Sequence, residues 1–229
     1  MEPIRRFLMK KRAKILTRFL IILFILGISA LIFLRTFPSI VNPQDPSLQT
    51  YSIHMDENLF YRQTLNNCGP YSVMAVTSIL RNDEPAPDPE LLAKQMKWRI
   101  RKNMTFPQGV ISLLHDNKIK TKEYLLYLKS DSDKITFLKE QISHGTPVIL
   151  LIRQHGILHY VTVLGFDENG FMLYDSMQEK SADDPVLTIR DEKATNGNRY
   201  FTNQELLDQW NKGGVKFAFR NWCVVCKKK

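Results

Sequence analysis

The chain has 229 residues, 44% hydrophobic and 24% charged, a balance that suits a globular protein and excludes one disordered along most of its length. Three cysteines are too few for a disulfide-built scaffold, and no Cys/His spacing matches a structural zinc site. The net charge of +9 sits mostly at one end: residues 1–18 hold seven Lys/Arg against one Glu, which leaves +3 for the other 211. That remainder is ordinary, so a nucleic-acid-binding body is not expected.

Phe19 to Leu34 (FLIILFILGISALIFL) run for 16 residues without a charge. As a helix this spans roughly 24 Å, a little short of a ~30 Å hydrocarbon core. Arg18 and Arg35 can snorkel, and Ile15, Leu16, Phe37, Ile40 and Val41 extend the apolar stretch. A cleaved signal peptide shares this pattern, but the apolar run continues past its one small-x-small triplet, Gly27-Ile28-Ser29. The expected organisation is a basic cytoplasmic tail over 1–18, a transmembrane signal-anchor over 19–36, a proline-rich linker over 37–50 and a globular domain over 51–229. The basic residues put the tail inside and the domain outside the cytoplasm, periplasmic or extracellular in a bacterium.

The first half of the domain reads as helical. Cys68 to Leu80 (CGPYSVMAVTSIL) carries Val73, Met74, Val76, Ile79 and Leu80 at helical spacing. Asp88-Pro89-Glu90 supplies a cap, a first-turn proline and an acid, the start of a helix to about Trp98. Further helices are expected over Pro107 to Asn117 and Asp133 to His144, the latter closed by Gly145. Then the period changes. Pro147 to Ile152, Leu158 to Phe166 and Phe171 to Tyr174 read as strands, with a turn at Asp167 to Gly170. Thr202-Asn203-Gln204-Glu205 is a capping box for a helix to Trp210, and Val215 to Val225 reads as a closing strand. Helices first and an antiparallel sheet afterwards make an α+β fold.

Cys68 opens the first of these helices, where unpaired N–H groups and the helix dipole favour a thiolate. Gly69 keeps the approach to the sulfur open, and Pro70 suits the first turn. Gln63, five residues upstream, can offer its amide N–H₂ beside the Cys68 N–H as a two-donor oxyanion hole. Taken alone, Cys68 reads rather as a small buried hydrophobe beginning an apolar helix. His159, on a strand, is the first choice of base, and His155 is the second. His54, His115 and His144 read as surface residues. Asp175, at a strand end, can orient the imidazole, although an isolated aspartate there would also suit a turn. His159 and Asp175 lie 16 apart and stand opposite each other only if the hairpin turns about Asp167; a turn centred on Asn169-Gly170 would separate them by ~4 to 5 residues. The first register is expected. Cys223 and Cys226 lie three apart in a strand and so point to opposite faces, which disfavours a redox pair.

The order Gln63 to Pro70 (QTLNNCGP), His159 to Asp167 (HYVTVLGFD) and Leu173 to Ser176 (LYDS) resembles the peptidase C39-like family of papain-like cysteine peptidases. Tyr200 to Trp210 (YFTNQELLDQW) is similar to the family's late helix. The resemblance implies a papain-like fold, with a helical half packed on an antiparallel sheet. It also implies a cysteine peptidase acting on peptide or protein substrates. Cys68 would be the nucleophile, His159 the base and acid, Asp175 the orienting residue and Gln63 the oxyanion donor, with no metal or organic cofactor. Ser176 departs from the pattern, which usually has proline there. No GxxxxGK[ST] loop accompanies the domain, so leader-peptide removal is not inherited from exporter relatives. A papain-like acyl transferase or amidase, or a non-catalytic peptide-binding domain, are the alternatives. Loops such as Trp98–Pro107 and Lys180–Arg199 would set specificity.

Overall fold

The computed structural model describes residues 2–33, 37–82, 84–215 and 218–229. They form two compact units, Met1–Phe37 and Pro38–Lys229. In the first, α1 (Glu2–Phe33) is one continuous helix. Its Lys14–Ile32 stretch has a mean hydropathy of 2.6 and is long and apolar enough to cross a membrane. The end of the expected span, Leu34 to Thr36, lies outside the described residues.

The second unit is built on a seven-stranded antiparallel sheet. Its strands are β1 (Tyr51–Ser52), β2 (Ile119–Leu125), β3 (Val148–Gln154), β4 (Ile157–Phe166), β5 (Gly170–Tyr174), β6 (Arg199–Thr202) and β7 (Trp222–Lys228). The order is β2-β7-β3-β4-β5-β6, with β1 added beside β4. The last strand of the chain therefore sits inside the sheet, between β2 and β3. This placement gives five successive residues, Trp222 to Cys226, complete or near-complete burial.

Helices cover both faces. Val148, Leu150 and Ile152 of β3 and Val161 and Val163 of β4 alternate onto one face, where they meet Phe137, Leu138 and Ile142 of α5 (Asp131–Ser143) and Leu206 and Trp210 of α6 (Asn203–Asn211). The opposite face carries Tyr160 and Trp222, packed edge to face at 5.7 Å. It receives α2 (Cys68–Leu80), which α3 (Pro89–Gln95) and α4 (Pro107–Asp116) flank. Burying all of Cys68 to Thr77 requires an element apolar all round, and CGPYSVMAVT supplies it. Local signals fix several boundaries. The Thr202/Glu205 capping box makes both of its reciprocal bonds, and Gly145, at φ +68°, closes α5.

Some boundaries depart from expectation. α3 ends at Gln95 rather than Trp98, because Met96 is already extended and Trp98 takes a left-handed φ of +55°. α5 begins at Asp131, two residues early, because the Ser130 hydroxyl caps it by accepting the Asp133 N–H. The closing strand begins at Trp222, not Val215: Val215 and Ala218 pair with each other, and Phe219 and Asn221 have positive φ, which breaks any extended run. Lys216 and Phe217, within the expected strand, lie outside the described residues. β2 and β6 fall in segments with no strand expectation.

The proline-containing segment after Phe37 has no helix or strand until β1, yet it is tied to the domain. The Ser39 N–H donates to the Leu125 carbonyl at 2.9 Å, and the Leu125 N–H donates to Ser39 Oγ at 2.9 Å. The Gln44 N–H reaches Glu140 Oε2 at 3.3 Å, and Val41 packs on the core.

The β4–β5 hairpin pairs Thr162 with Tyr174 and Val163 with Leu173, then shifts register before Gly165↔Met172. Extending the first register by one residue sets Asp175 beside Val161. This corrects the expected geometry: Asp175 is two residues along the ladder from His159 instead of directly opposite it. The turn falls between the two positions considered, at Asp167 to Asn169, where the Asp167 carboxylate accepts the Asn169 and Gly170 N–H groups at 2.8 Å each.

Candidate active site

The α2 N-terminus places Cys68 at the first helical position, with Asn67 as its cap residue. Asn67 does not cap through its side chain. Its amide donates to Thr64 Oγ1, and its oxygen accepts from the Arg99 guanidinium, which also holds the carbonyls of Ala93 and Asn103. Loop 96–106 is thereby tied to the turn that presents Cys68. A Cβ at Gly69 would meet Met96 and Val110 at 3.4 Å and Tyr160 at 3.7 Å, ordinary contact distances that leave no room for a larger side chain.

His159 and Asp175 are almost wholly buried, at 1% and 0% exposure. As diagonal neighbours on one face of the ladder they are within reach of each other, and His159 Nε2 donates to Asp175 Oδ1 at 2.7 Å. The same oxygen accepts the Met177 N–H at 2.8 Å. Among the described residues His159 Nδ1 has no hydrogen-bond partner, which leaves it available to a neighbouring group.

The electrostatics favour a charged pair. Burial raises the Cys68 pKa, but the His159 imidazolium, as hydrogen-bond donor and as charge, outweighs it, helped by the Tyr160 and Gly69 N–H groups; the thiol ends below its ordinary value. Burial disfavours charge on His159 too, yet the Asp175 charge and hydrogen bond, followed by those of Cys68, hold its pKa well above the usual imidazole range. Asp175, despite its burial, is held below the ordinary carboxylate range by His159 and by the Met177 N–H.

Asp175 is itself fixed through its backbone. Its N–H donates to Asn198 Oδ1 at 2.8 Å, and Asn198 Nδ2 donates back to the Asp175 carbonyl at 2.9 Å. Asn198 is fully buried and also donates to Thr188 Oγ1, whose hydroxyl in turn donates to the Phe60 carbonyl. Gln63 is held by Ser176: the Gln63 N–H donates to the Ser176 carbonyl, and Ser176 Oγ donates to Gln63 Oε1, both at 2.8 Å.

Of the histidines considered, His155 is exposed in the two-residue turn between β3 and β4, with φ +48°, and is not part of this cluster. His54, His115 and His144 are also exposed. Cys223 and Cys226 are free, buried thiols on opposite faces of β7, and burial raises both pKa values. Among the described residues no group of three or more His, Cys, Asp or Glu is placed to hold a metal ion. Sequence reasoning missed Asn198, Arg99 and the hydroxyl of Ser176. Only Ser176, adjacent to Asp175, carried a local signal.

A model of the Peptidase_C39 like family matches residues 54–212. No curated protein matches the chain. Among solved structures, the chain is similar to the peptidase domain of Streptococcus ComA, a bi-functional ABC transporter involved in a quorum-sensing pathway: 13% identity, 74% of this chain and 97% of that one, TM-score 0.46. It is similar to a double glycine motif protease from an AMS/PCAT transporter in complex with the leader peptide, at 12% identity over 83% and 100% of the two chains, TM-score 0.45. A third is the Carica candamarcensis cysteine protease CMS1MS2 in complex with E-64, at 10% identity over 80% and 99%, TM-score 0.46.

Proposed function

The chain belongs to the Peptidase_C39 like family, with the papain-like α+β fold expected of it, and from that premise we propose that it is a cysteine peptidase acting through Cys68, His159 and Asp175. The observation that carries this reading is the buried His159–Asp175 bond, beside a thiol whose pKa the same imidazole lowers.

In this mechanism the Cys68 thiolate attacks the scissile carbonyl of a peptide. The Cys68 N–H has no intrahelical acceptor at the first helical position, so it and the Gln63 amide receive the developing oxyanion. His159 gives its proton to the leaving amine and then takes one from the water that hydrolyses the thioester. Asp175 keeps the ring oriented, with Nδ1 toward sulfur. No step requires a metal or an organic cofactor. The basic tail and the Lys14–Ile32 stretch support an anchored chain with its tail in the cytoplasm and its catalytic domain outside, the domain limits being those set out from the sequence.

The test uses the full chain in detergent, treated with iodoacetamide at pH 6 and read by mass spectrometry, with His159→Ala alongside. Fast alkylation of Cys68 that slows at least tenfold in His159→Ala is the expected result. Cleavage of a peptide library, lost in Cys68→Ala, then identifies the activity. Labelling of Cys68 no faster than a free thiol would sink the proposal and favour a non-catalytic peptide-binding domain. Turnover only in the presence of an amine or alcohol acceptor would indicate an acyl transferase.

A further inference from the structure

Resting on that reading, we propose that Ser176 is a positioning residue that sets which end of the Gln63 amide faces the reacting carbonyl. Two residues 113 positions apart in sequence are joined at two points: backbone N–H to carbonyl, and serine hydroxyl to side-chain oxygen, each at 2.8 Å. The backbone bond fixes where Gln63 sits. The hydroxyl bond fixes which way round its amide lies.

An amide is useful as an oxyanion donor in only one of its two orientations. Turned by half a revolution, it presents a carbonyl oxygen to a developing negative charge and opposes the reaction. With Oε1 taken up by the Ser176 hydroxyl, the N–H₂ group is the end of Gln63 left for the site. Ser176 is 2% exposed, so water does not compete effectively for this bond. It also follows directly on Asp175, whose backbone Asn198 clamps on both sides. One strand end thus orients the imidazole through Asp175 and the oxyanion donor through Ser176. A side chain without a donor at 176 would keep the backbone bond and lose the bias on the amide.

The experiment separates two reactions of the same sulfur in the full chain. With iodoacetamide, Cys68 Sγ displaces iodide from carbon, and no oxyanion forms. With p-nitrophenyl acetate, Sγ bonds to the carbonyl carbon and the C=O electron pair moves onto oxygen. On collapse that pair re-forms C=O as the C–O bond breaks, releasing p-nitrophenolate with its electron pair and leaving an acetyl thioester. Cys68→Ala supplies the background for both. Ser176→Ala is expected to lower acylation about tenfold, less than outright removal of an oxyanion donor, and to leave alkylation within about twofold. Ser176→Thr, which keeps the hydroxyl, restores acylation. In a Gln63→Ala background, Ser176→Ala adds no further loss, because the two act as one unit.

Equal losses in alkylation and acylation, or additive losses from the two alanine variants, would overturn the proposal. So would a wild-type chain that is alkylated rapidly but acylated no faster than background. Slow alkylation of the wild-type chain removes the activated thiol itself, and the proposed function falls with it.

Discussion

Asp175 reaches His159 diagonally, from a position two residues along the β4–β5 ladder, and the 2.7 Å bond between Oδ1 and Nε2 joins two side chains that water scarcely touches. Burial works against both charges, but it also removes the screening that would weaken their attraction. The pKa directions show that attraction wins: the carboxylate goes down and the imidazole goes up.

The pH dependence follows from those directions. The reactive form needs Cys68 deprotonated and His159 protonated. Turnover should rise as pH climbs through the depressed Cys68 pKa, and fall as pH climbs through that of His159, which is raised to about 10. A bell with its acid limb below the titration of an ordinary thiol is expected from initial rates across pH.

Asp175→Ala removes the main influence holding the His159 proton and leaves burial, which lowers the imidazole pKa, in control. The alkaline limb should move to lower pH, with Cys68 less reactive at neutral pH by about tenfold or more. Alkylation rates measured against pH in the variant check both statements.

Asn198→Ala strips the side-chain partner from the buried Asp175 N–H, and one donor each from the Asp175 carbonyl and the Thr188 hydroxyl, which keep the Gln178 N–H and the Phe60 carbonyl as partners. Leaving the buried N–H unmatched costs about 1–3 kcal/mol, and the two weakened groups add to it. A melting temperature lower by about 5–15 °C is expected from thermal denaturation. An unchanged melting curve would mean that the clamp contributes nothing.

Cys223 and Cys226 should resist alkylation in the native chain, being fully buried with raised pKa values. Mass spectrometry after brief native labelling should find modification on Cys68 alone, and on all three thiols after denaturation in guanidinium chloride.

What the sequence disclosed depended on how local the cause was. α2 is apolar all round and begins at a cysteine–glycine–proline turn, so its limits could be read directly, as could β3 and β4. β2 could not. In IKTKEYL the lysines and Glu123 interrupt any strand pattern, and its extended form comes from seven pairings with β7, 97 to 109 residues further on. The candidate site divides in the same way. Gln63, Cys68, His159 and Asp175 each advertise a chemistry. Asn198 and Arg99 matter through partners 23 and 32 residues away, which no pattern around them encodes. The hairpin register failed because the turn closes over Asp167 to Asn169 instead of about Asp167, and the shift between Val163 and Gly165, which counting residues does not anticipate, brings Asp175 back only one residue toward His159.

Gly69, buried where α2 meets Met96, Val110 and Tyr160, has a wider consequence. The sulfur travels with a helix and its acid–base partner with the sheet, so their separation is decided by how closely two layers seat on each other. Chemistry of this kind is a gauge of that seating. Solvent, pressure or a bulkier side chain at position 69 that eases the layers apart by a fraction of an ångström should silence the thiol while spectroscopic signs of helix and strand remain intact. Loss of reactivity would then be the earliest symptom of a loosening molecule.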